Sequence, residues 1–343
     1  MRQCVLRDNR IISADNTPYI IAEMNTSHFG YVDKAKAMID GAKSAGCDCV
    51  KFQSWSAESL YSKTHYDANP FAKRMVGRFA FDESKLSELA LYAKELGIGF
   101  SSTPYCEAEV DFLVEKCDAP FVKIASMDLD NRSFLQYIGR TKVPVVLSTG
   151  MSSMDEVKCA VDTLLNAGTN NLSLMHCISI YPAEPEAIRL KNIIGLMEEF
   201  PEIPIGFSDH SLGYEMASAA IALGATLIEK HLTLDKSKIG MDNEMAMEPE
   251  EMKGLVASVR NVYKALGSKE RVVSDKELEM KSKMRRSVIS VCDIKAGTVI
   301  TEDMLGAKRP ATGIALKDIE KCIGKKATRD IEADTVIDYS DVM

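Results

Sequence analysis

Eight short runs rich in apolar and β-branched residues recur along the chain, at 19–24, 49–55, 98–103, 121–127, 143–149, 172–179, 203–208 and 226–232. Each has strand length and is nearly continuous in its apolar character, as expected of strands covered on both faces. Between and after them lie segments whose apolar residues recur at helical spacing, at 33–45, 84–96, 107–116, 133–140, 154–166, 190–199, 214–223 and 249–266. Strand and helix therefore alternate eight times. That count predicts a closed parallel (β/α)₈ TIM barrel rather than an open doubly wound sheet. A glycine-rich dinucleotide fingerprint is also missing after the first strand.

Five helices end on glycine, in KSAG, KELG, LNAG, IALG and KALG, where Gly46, Gly97, Gly168, Gly224 and Gly267 can take the positive φ of a helix stop. Ahead of the barrel, CVLRDNRIISADNTP reads as a β-hairpin plugging one barrel end. The pattern changes after Gly267. Residues 268–284 are highly charged and read as a helical linker, and 285–343 contain short strands (SVISVCDI, GTVI, GKKATRDI) separated by turns, a small β-clip domain. The predicted organisation is a catalytic barrel over 1–267, the linker, and the C-terminal β domain.

Composition narrows the class. With 46% hydrophobic and 27% charged residues the chain is an ordinary globular protein without long disordered stretches. A formal net charge of −8 argues against broad nucleic-acid or anionic-membrane binding, while leaving room for a local basic pocket. The nine cysteines are odd in number and show no CxxC pair; Cys47, Cys49, Cys117, Cys159 and Cys177 sit in apolar segments and read as reduced packing residues. The first ten residues hold no apolar signal core, and no run of about 18 apolar residues occurs, so the expected location is cytoplasmic.

In this architecture chemistry sits where the strands end, and those positions are unusually polar. Glu23 closes the first run and Lys51 with Gln53 the second; Ser101, Ser102 and Thr103 close the third, Lys123 and Ser126 the fourth, Ser148 and Thr149 the fifth. His176, Ser179 and Tyr181 close the sixth, Ser208, Asp209 and His210 the seventh, and Glu229, Lys230 and His231 the eighth. Imidazoles His210 and His231, on neighbouring strands beside carboxylates, could converge on a divalent ion with positions open for water and substrate; a structural role for each is the competing reading. His176 lies deeper and reads as structural. Lys51, Lys123 and Lys230 could form a Schiff base, hold an anion or face outward. Grouped with the hydroxyls of Ser126, Ser148 and Thr149, the first two favour a small phosphorylated anion.

The motifs IIAEMNTSHFG, VKFQSW, SSTPY, VKIAS, VVLSTGM, LMHCISIYP, GFSDHSLG, ALGATLIEKHLTLDK and GMDNEMAMEPEE resemble those of the nonulosonate (sialic acid) synthases, which include N-acetylneuraminate, legionaminate and pseudaminate synthases. RRSVISVCDIKAGTVITEDMLGAKRPATG resembles their antifreeze-protein-like (SAF) C-terminal domain. The likeness runs through almost the whole chain. It implies condensation of phosphoenolpyruvate with an open-chain N-acetylated amino sugar, giving a 3-deoxy-2-keto acid and phosphate. It further implies a divalent metal, usually manganese with magnesium or cobalt as alternatives, on His210 and His231. Lys51, Thr103, Lys123, Ser126, Ser148 and Ser208 match positions that hold phosphoenolpyruvate. Glu23, Glu229 and Asp242 match active-site acids; Gln53, Asp128, Ser179 and Tyr181 match sugar-side positions. Arg309, in KRPATG, matches an arginine placed over the partner subunit's pocket, which implies a domain-swapped homodimer.

The chain departs from the family pattern on the sugar side. EMNTSHFG replaces an acid-Gly-Val-Asn-His pattern, Ser179 stands where neuraminate synthases have asparagine, Asp242-Asn243 replaces Asp-His, and Asp128 replaces glutamate. The donor motifs are intact, so phosphoenolpyruvate is the firmer expectation, with N-acetylmannosamine and a diacetamido hexose both open as acceptor. Two other classes compete: a metal-free class I aldolase using Lys123 or Lys51 as a Schiff base, and a non-catalytic carbohydrate-binding protein.

Overall fold

The computed structural model describes residues 2–343. The chain divides into two compact units, one ending at Gly267 and the other spanning Ser268–Met343.

The first unit opens with an antiparallel hairpin of β1 (Gln3–Val5) and β2 (Ile11–Ser13). Eight parallel strands follow: β3 (Tyr19–Glu23), β4 (Cys49–Gln53), β5 (Gly99–Thr103), β6 (Val122–Ile124), β7 (Val145–Ser148), β8 (Leu172–Cys177), β9 (Ile205–Asp209) and β10 (Leu227–His231). Their order is β5-β4-β3-β10-β9-β8-β7-β6. The hydroxyl of Ser101 on β5 donates to the carbonyl of Phe121, just before β6, at 2.8 Å and bridges the remaining seam. Outside the strands run α1 (Val32–Ala45), α2 (Ala57–Leu60), α3 (Lys63–Ala68), α4 (Pro70–Phe79), α5 (Glu83–Glu95), α6 (Glu107–Glu115), α7 (Arg132–Thr141), α8 (Met154–Ala167), α9 (Pro185–Ile188), α10 (Asn192–Glu199), α11 (Glu215–Ala222) and α12 (Pro249–Leu266).

Strand alternation divides the apolar residues between two cores. Outward-facing Ile20, Ala22, Val50, Phe52, Leu147 and Leu174 pack with the apolar stripes of the helices. Inward-facing Ile21, Cys49, Phe121, Val146, Met175 and Leu227 form a separate cluster closed by Cys4, Leu6 and Ile12 of the hairpin segment. The barrel floor is thus apolar and plugged by the hairpin. Every inward residue one step further along its strand is at the other end of that floor, and most are polar.

Element boundaries differ from the sequence expectation in a few places. The fourth run is a strand only over Val122–Ile124; Ser126–Asp128 turn into a short 3₁₀ helix, so Ser126 and Asp128 lie beyond the strand. The three helices α2 to α4 fill the β4–α5 connection, where no helix is expected from apolar periodicity. They are short, and their starts are marked by polar caps: Ser56 in a capping box, Ser62, and Asn69 before Pro70. Cys159 is exposed, not packed. The glycines that end helices all have positive φ, including Gly46 at 91° and Gly168 at 118°.

Gly30, in the β3–α1 loop, is where the backbone of the barrel meets α4. Its φ is +78°, and a Cβ there would lie 2.1 Å from the carbonyl oxygen of Arg78. Gly30→Ala must strain the turn and push α4 away. It is expected to cost about 1–3 kcal/mol, read as a lower urea midpoint.

In the second unit α13 (Asp275–Met284) covers only part of the stretch expected to be helical. It is followed by the antiparallel pair β11 (Ser287–Ser290) and β12 (Leu305–Lys308). The segments GTVI and GKKATRDI contribute single bridges, Val299 to Lys326 and Ile294 to Ile331, rather than regular strands. Val288, Ile294, Ile300, Ile314, Cys322, Ile331 and Ile337 make its own apolar core. No helix among the described residues is long and apolar enough to cross a membrane.

Candidate active site

The register of the parallel strands brings the polar strand ends together. Glu23 pairs with Lys51 on one side and His231 on the other; Gln53 pairs with Thr103, and Glu229 with Ser208. Because Ile21, Cys49, Phe121, Val146 and Leu227 face inward, the residues two positions on must also face inward. These are Glu23, Lys51, Lys123, Ser148 and Glu229, followed by Gln53 and His231. They line a cavity of about 450 Å³.

At its closed end are two lysines and two carboxylates, all buried. The Lys51 ammonium contacts the Glu23 carboxylate, donates to the Thr103 hydroxyl at 3.0 Å, and lies 3.8 Å from Glu229. Lys123 stands 3.4 Å from Glu229, whose Oε1 also accepts from the Ser208 hydroxyl at 3.1 Å. Glu23 accepts from the Asn25 N–H at 2.8 Å and from Gln53 at 3.3 Å. Burial is the largest single influence on each group and is offset to different extents by its neighbours. Glu23 is raised by burial, against the pull of Lys51. Glu229 is pushed up by burial but more strongly held down by Lys123 and Lys51, and lies below the usual carboxylate range. Lys51, with two carboxylates, is raised despite burial, whereas burial lowers Lys123, which has Glu229 beside it and Lys51 opposing. The buried Ser148 hydroxyl meets no hydrogen-bond partner.

On the neighbouring side His210 and His231 stand with ring centroids 5.4 Å apart. The Nδ1–H of His210 donates to the Ile178 carbonyl at 2.8 Å, which makes Nε2 the acceptor nitrogen, 3.5 Å from the Ser208 hydroxyl. Burial lowers both imidazoles below the ordinary histidine range, His231 furthest, so both are neutral at pH 7. His231 Nδ1 is buried without a hydrogen-bond partner, 3.9 Å from Asp242, and Tyr181 stacks 4.2 Å from His210. Among the described residues no group of three or more His, Cys, Asp or Glu forms a metal cage. Two neutral imidazoles, one with an unpartnered Nδ1 and one whose Nε2 meets the Ser208 hydroxyl at 3.5 Å, nevertheless suit a divalent cation that completes its shell with water and substrate.

The other nominated residues fall into place by the same alternation. Ser126, Ser179, Tyr181, Ser208 and Asp242 line the cavity, while Asp128 does not: it lies on the 3₁₀ turn with its carboxylate against Asn131. Arg309 is exposed in the second unit, just after β12. Lys230, between the inward Glu229 and His231, points out of the barrel and donates to Asp209 at 2.9 Å. Thr149 likewise turns away, donating to the Met175 carbonyl, and His176 contacts the Ile188 carbonyl outside the barrel. Asn25, which donates to Asp242, and Tyr105, whose hydroxyl reaches Gln53 at 3.5 Å, join the site from loops after β3 and β5 where strand periodicity carries no signal. Trp55 and residues of α2 and α4 also line the cavity, and the polar caps of these helices are their signal in the sequence.

The fold and site define a (β/α)₈ barrel protein with a buried lysine–carboxylate cluster and a neutral histidine pair at the carboxyl ends of its strands, joined to a small β domain. The NeuB family model matches residues 38–271 and the SAF domain model residues 285–343; the chain belongs to the NeuB family. It is 37% identical to the N,N'-diacetyllegionaminic acid synthase of Legionella pneumophila, over 94% of this chain and 93% of that protein. It is 36% identical to human N-acetylneuraminate-9-phosphate synthase, over 96% and 93%. Among solved structures, the N-acetylneuraminic acid synthetase of Leptospira borgpetersenii superposes with a TM-score of 0.75 at 31% identity, covering 81% of this chain and 96% of that one.

Proposed function

We propose that the protein is a nonulosonic acid synthase that condenses phosphoenolpyruvate with an open-chain N-acetylated amino sugar and releases phosphate. The observation that carries this reading is the buried Lys51–Glu23 and Lys123–Glu229 cluster with Thr103, Ser148 and Ser208 around it. A fold does not need two buried ammonium groups in its mouth, and burying them costs stability unless they serve a charged ligand. Phosphoenolpyruvate supplies the anionic groups that such lysines and hydroxyls bind.

In the proposed reaction the methylene carbon of phosphoenolpyruvate bonds to the aldehyde carbon of the sugar, and the aldehyde oxygen takes a proton. Water adds at the central carbon and the carbon–oxygen bond to phosphate breaks, so one water is consumed per phosphate released. Lys51 and Lys123 hold the donor anion. Glu23, raised by burial and set against Asn25 and Gln53, positions the water and moves its proton. A divalent cation, manganese in the first instance, held by His210 and His231 would supply Lewis-acid polarisation of the aldehyde and orientation of the sugar. Gln53, Tyr181 and Asp242 face the sugar. Phosphate release assayed with phosphoenolpyruvate, manganese and a panel of amino-hexoses, followed by the product's mass, tests the reading. Pyruvate without carbon–carbon bond formation for every sugar would overturn it.

Lys123, lowered by burial, supports one second reading, a Schiff-base aldolase. That chemistry needs no metal and leaves a covalent adduct after borohydride treatment with substrate.

The family resemblance of KRPATG extends the proposal to a domain-swapped homodimer in which Arg309 serves the partner's pocket. An Arg309→Ala chain and a Lys123→Met chain, each nearly inactive alone, are then expected to recover activity when mixed. Each hybrid dimer has one intact site, so up to about half the activity per hybrid returns. No recovery, with subunit exchange confirmed by mass, excludes action across the interface.

A further inference from the structure

A buried charge pair stands directly behind the two histidines, on the face of the barrel wall that the cavity does not use. Asp209 and Lys230 are register partners on β9 and β10, and each comes one position before a histidine of the pair. Alternation turns Ser208, Glu229 and His231 inward, so Asp209 and Lys230 turn outward, toward the helices. Both side chains are fully buried, with the Lys230 ammonium 2.9 Å from the Asp209 carboxylate. Phe207, Ile228 and Leu232, their neighbours on the same face, belong to the apolar layer between strands and helices. Among the described residues, no other outward position of the eight strands holds a carboxylate or an ammonium group.

Packing alone gives no reason for charge at this place. Taking two charges out of water costs about as much as their attraction returns, and an apolar pair of similar size holds such a layer equally well or better. What the pair does hold is the turn that carries His210. Asp209 Oδ1 accepts from the Ser211 N–H at 2.9 Å and from the Ser211 hydroxyl at 2.6 Å, and Lys230 Nζ donates to the Ser211 carbonyl at 2.5 Å. His210 is thus enclosed between two tied neighbours, while its own carbonyl accepts from the Ala183 N–H at 2.9 Å. Lys230 is also the residue before His231, so one side chain links the supports of both imidazoles.

We infer that Asp209 and Lys230 are positioning residues that fix His210 relative to His231, so that both rings can meet one cation. Neither lines the cavity. Two ring nitrogens share an ion only if each is held within about 0.5 Å of its required place. His231 is set by its own strand, whereas His210 lies one residue beyond the end of β9, where strand pairing no longer restrains it. The tie through Ser211 supplies that restraint. The inference rests on the reading of the histidine pair as a metal site.

The test replaces the pair together in the full-length protein, Asp209→Val with Lys230→Met, which leaves apolar side chains and no unpartnered charge. The urea midpoint is expected to stay or rise. Manganese binding, followed by electron paramagnetic resonance, is expected to weaken about ten- to hundred-fold, the usual loss when the groups that orient a metal ligand are removed. The placement of His210 is read without metal, by nuclear magnetic resonance of isotopically labelled histidines. Its hydrogen-bonded Nδ1–H signal is assigned by its absence in His210→Ala, and is expected to shift or vanish in the double variant. A stable double variant with native manganese affinity and a native His210 signal overturns the inference, as does weaker binding with an unmoved His210 signal. If the unaltered protein binds no manganese, the metal reading fails by itself, and the His210 signal alone decides whether the pair positions that ring. Should the double variant not fold, Asp209→Asn keeps the shape and an acceptor for Ser211 while removing the charge. Weaker manganese binding with a displaced His210 signal in that variant sustains the inference, and no change in either overturns it.

Discussion

Lys123→Met is expected to reduce kcat/KM for phosphoenolpyruvate by about thirty-fold to several thousand-fold, because losing one partner of a buried charge pair with a bound anion costs about 2–5 kcal/mol. The variant leaves Glu229 buried with its nearest cation gone, so the carboxyl, now below its usual range, must rise. Stability should fall as well. Pairing the change with Glu229→Gln removes the uncompensated charge, and the double variant is expected to recover stability but not activity. With Glu229→Gln alone as the reference, a further loss of phosphoenolpyruvate binding when Lys123→Met is added distinguishes an anion-binding lysine from one needed only by the fold. Full recovery of turnover in the double variant would sink the assignment. Covalent mass on Lys123 after borohydride and substrate would hand the site to Schiff-base chemistry instead.

The second large effect concerns the histidine pair. Chelator should abolish turnover and manganese restore it, and His210→Ala or His231→Ala should mimic metal removal, with residual activity that chelator no longer changes. Binding of manganese, followed by electron paramagnetic resonance without any substrate, has a predictable pH dependence. Cation binding requires neutral imidazole. Burial holds both rings below the ordinary histidine range, so the neutral form persists as pH falls through about 6.5. Affinity should therefore be retained there and decline only at lower pH. A midpoint at the ordinary histidine value would contradict the burial-lowered titration, and unchanged manganese binding in both alanine variants would refute the two-imidazole site.

Strand and helix count, the barrel, and the residues at the strand ends were legible in the chain because each follows from periodicities of the backbone itself. A covered parallel strand must be apolar on both faces except where it meets a site, so polar residues such as Glu23, Lys51, Lys123 and Glu229 at strand ends stand out. The same alternation, once register is known, separates Lys230 and Thr149 from the cavity. Local sequence could not do this for Lys230, since an inward and an outward lysine read alike until the pleat is fixed by neighbours.

The α2–α4 wall was not visible for a different reason. Two of its helices have only four and six residues, too few for apolar periodicity to register, and the ten-residue α4 is stabilised mostly by packing with Trp55 and against the Gly30 turn rather than by propensity. Asp128 is the reverse case: a motif position matched in sequence, but the strand before it ends early and the 3₁₀ turn carries the carboxylate off the cavity lining. The sequence by itself determined the alternation, the caps and the chemical types that meet at the barrel mouth, because these depend on residues near one another in the chain. Which lysine faces in, which carboxylate each one meets, and what wall stands opposite them were decided only in three dimensions, where side chains far apart in sequence settle the burial and charge of one another.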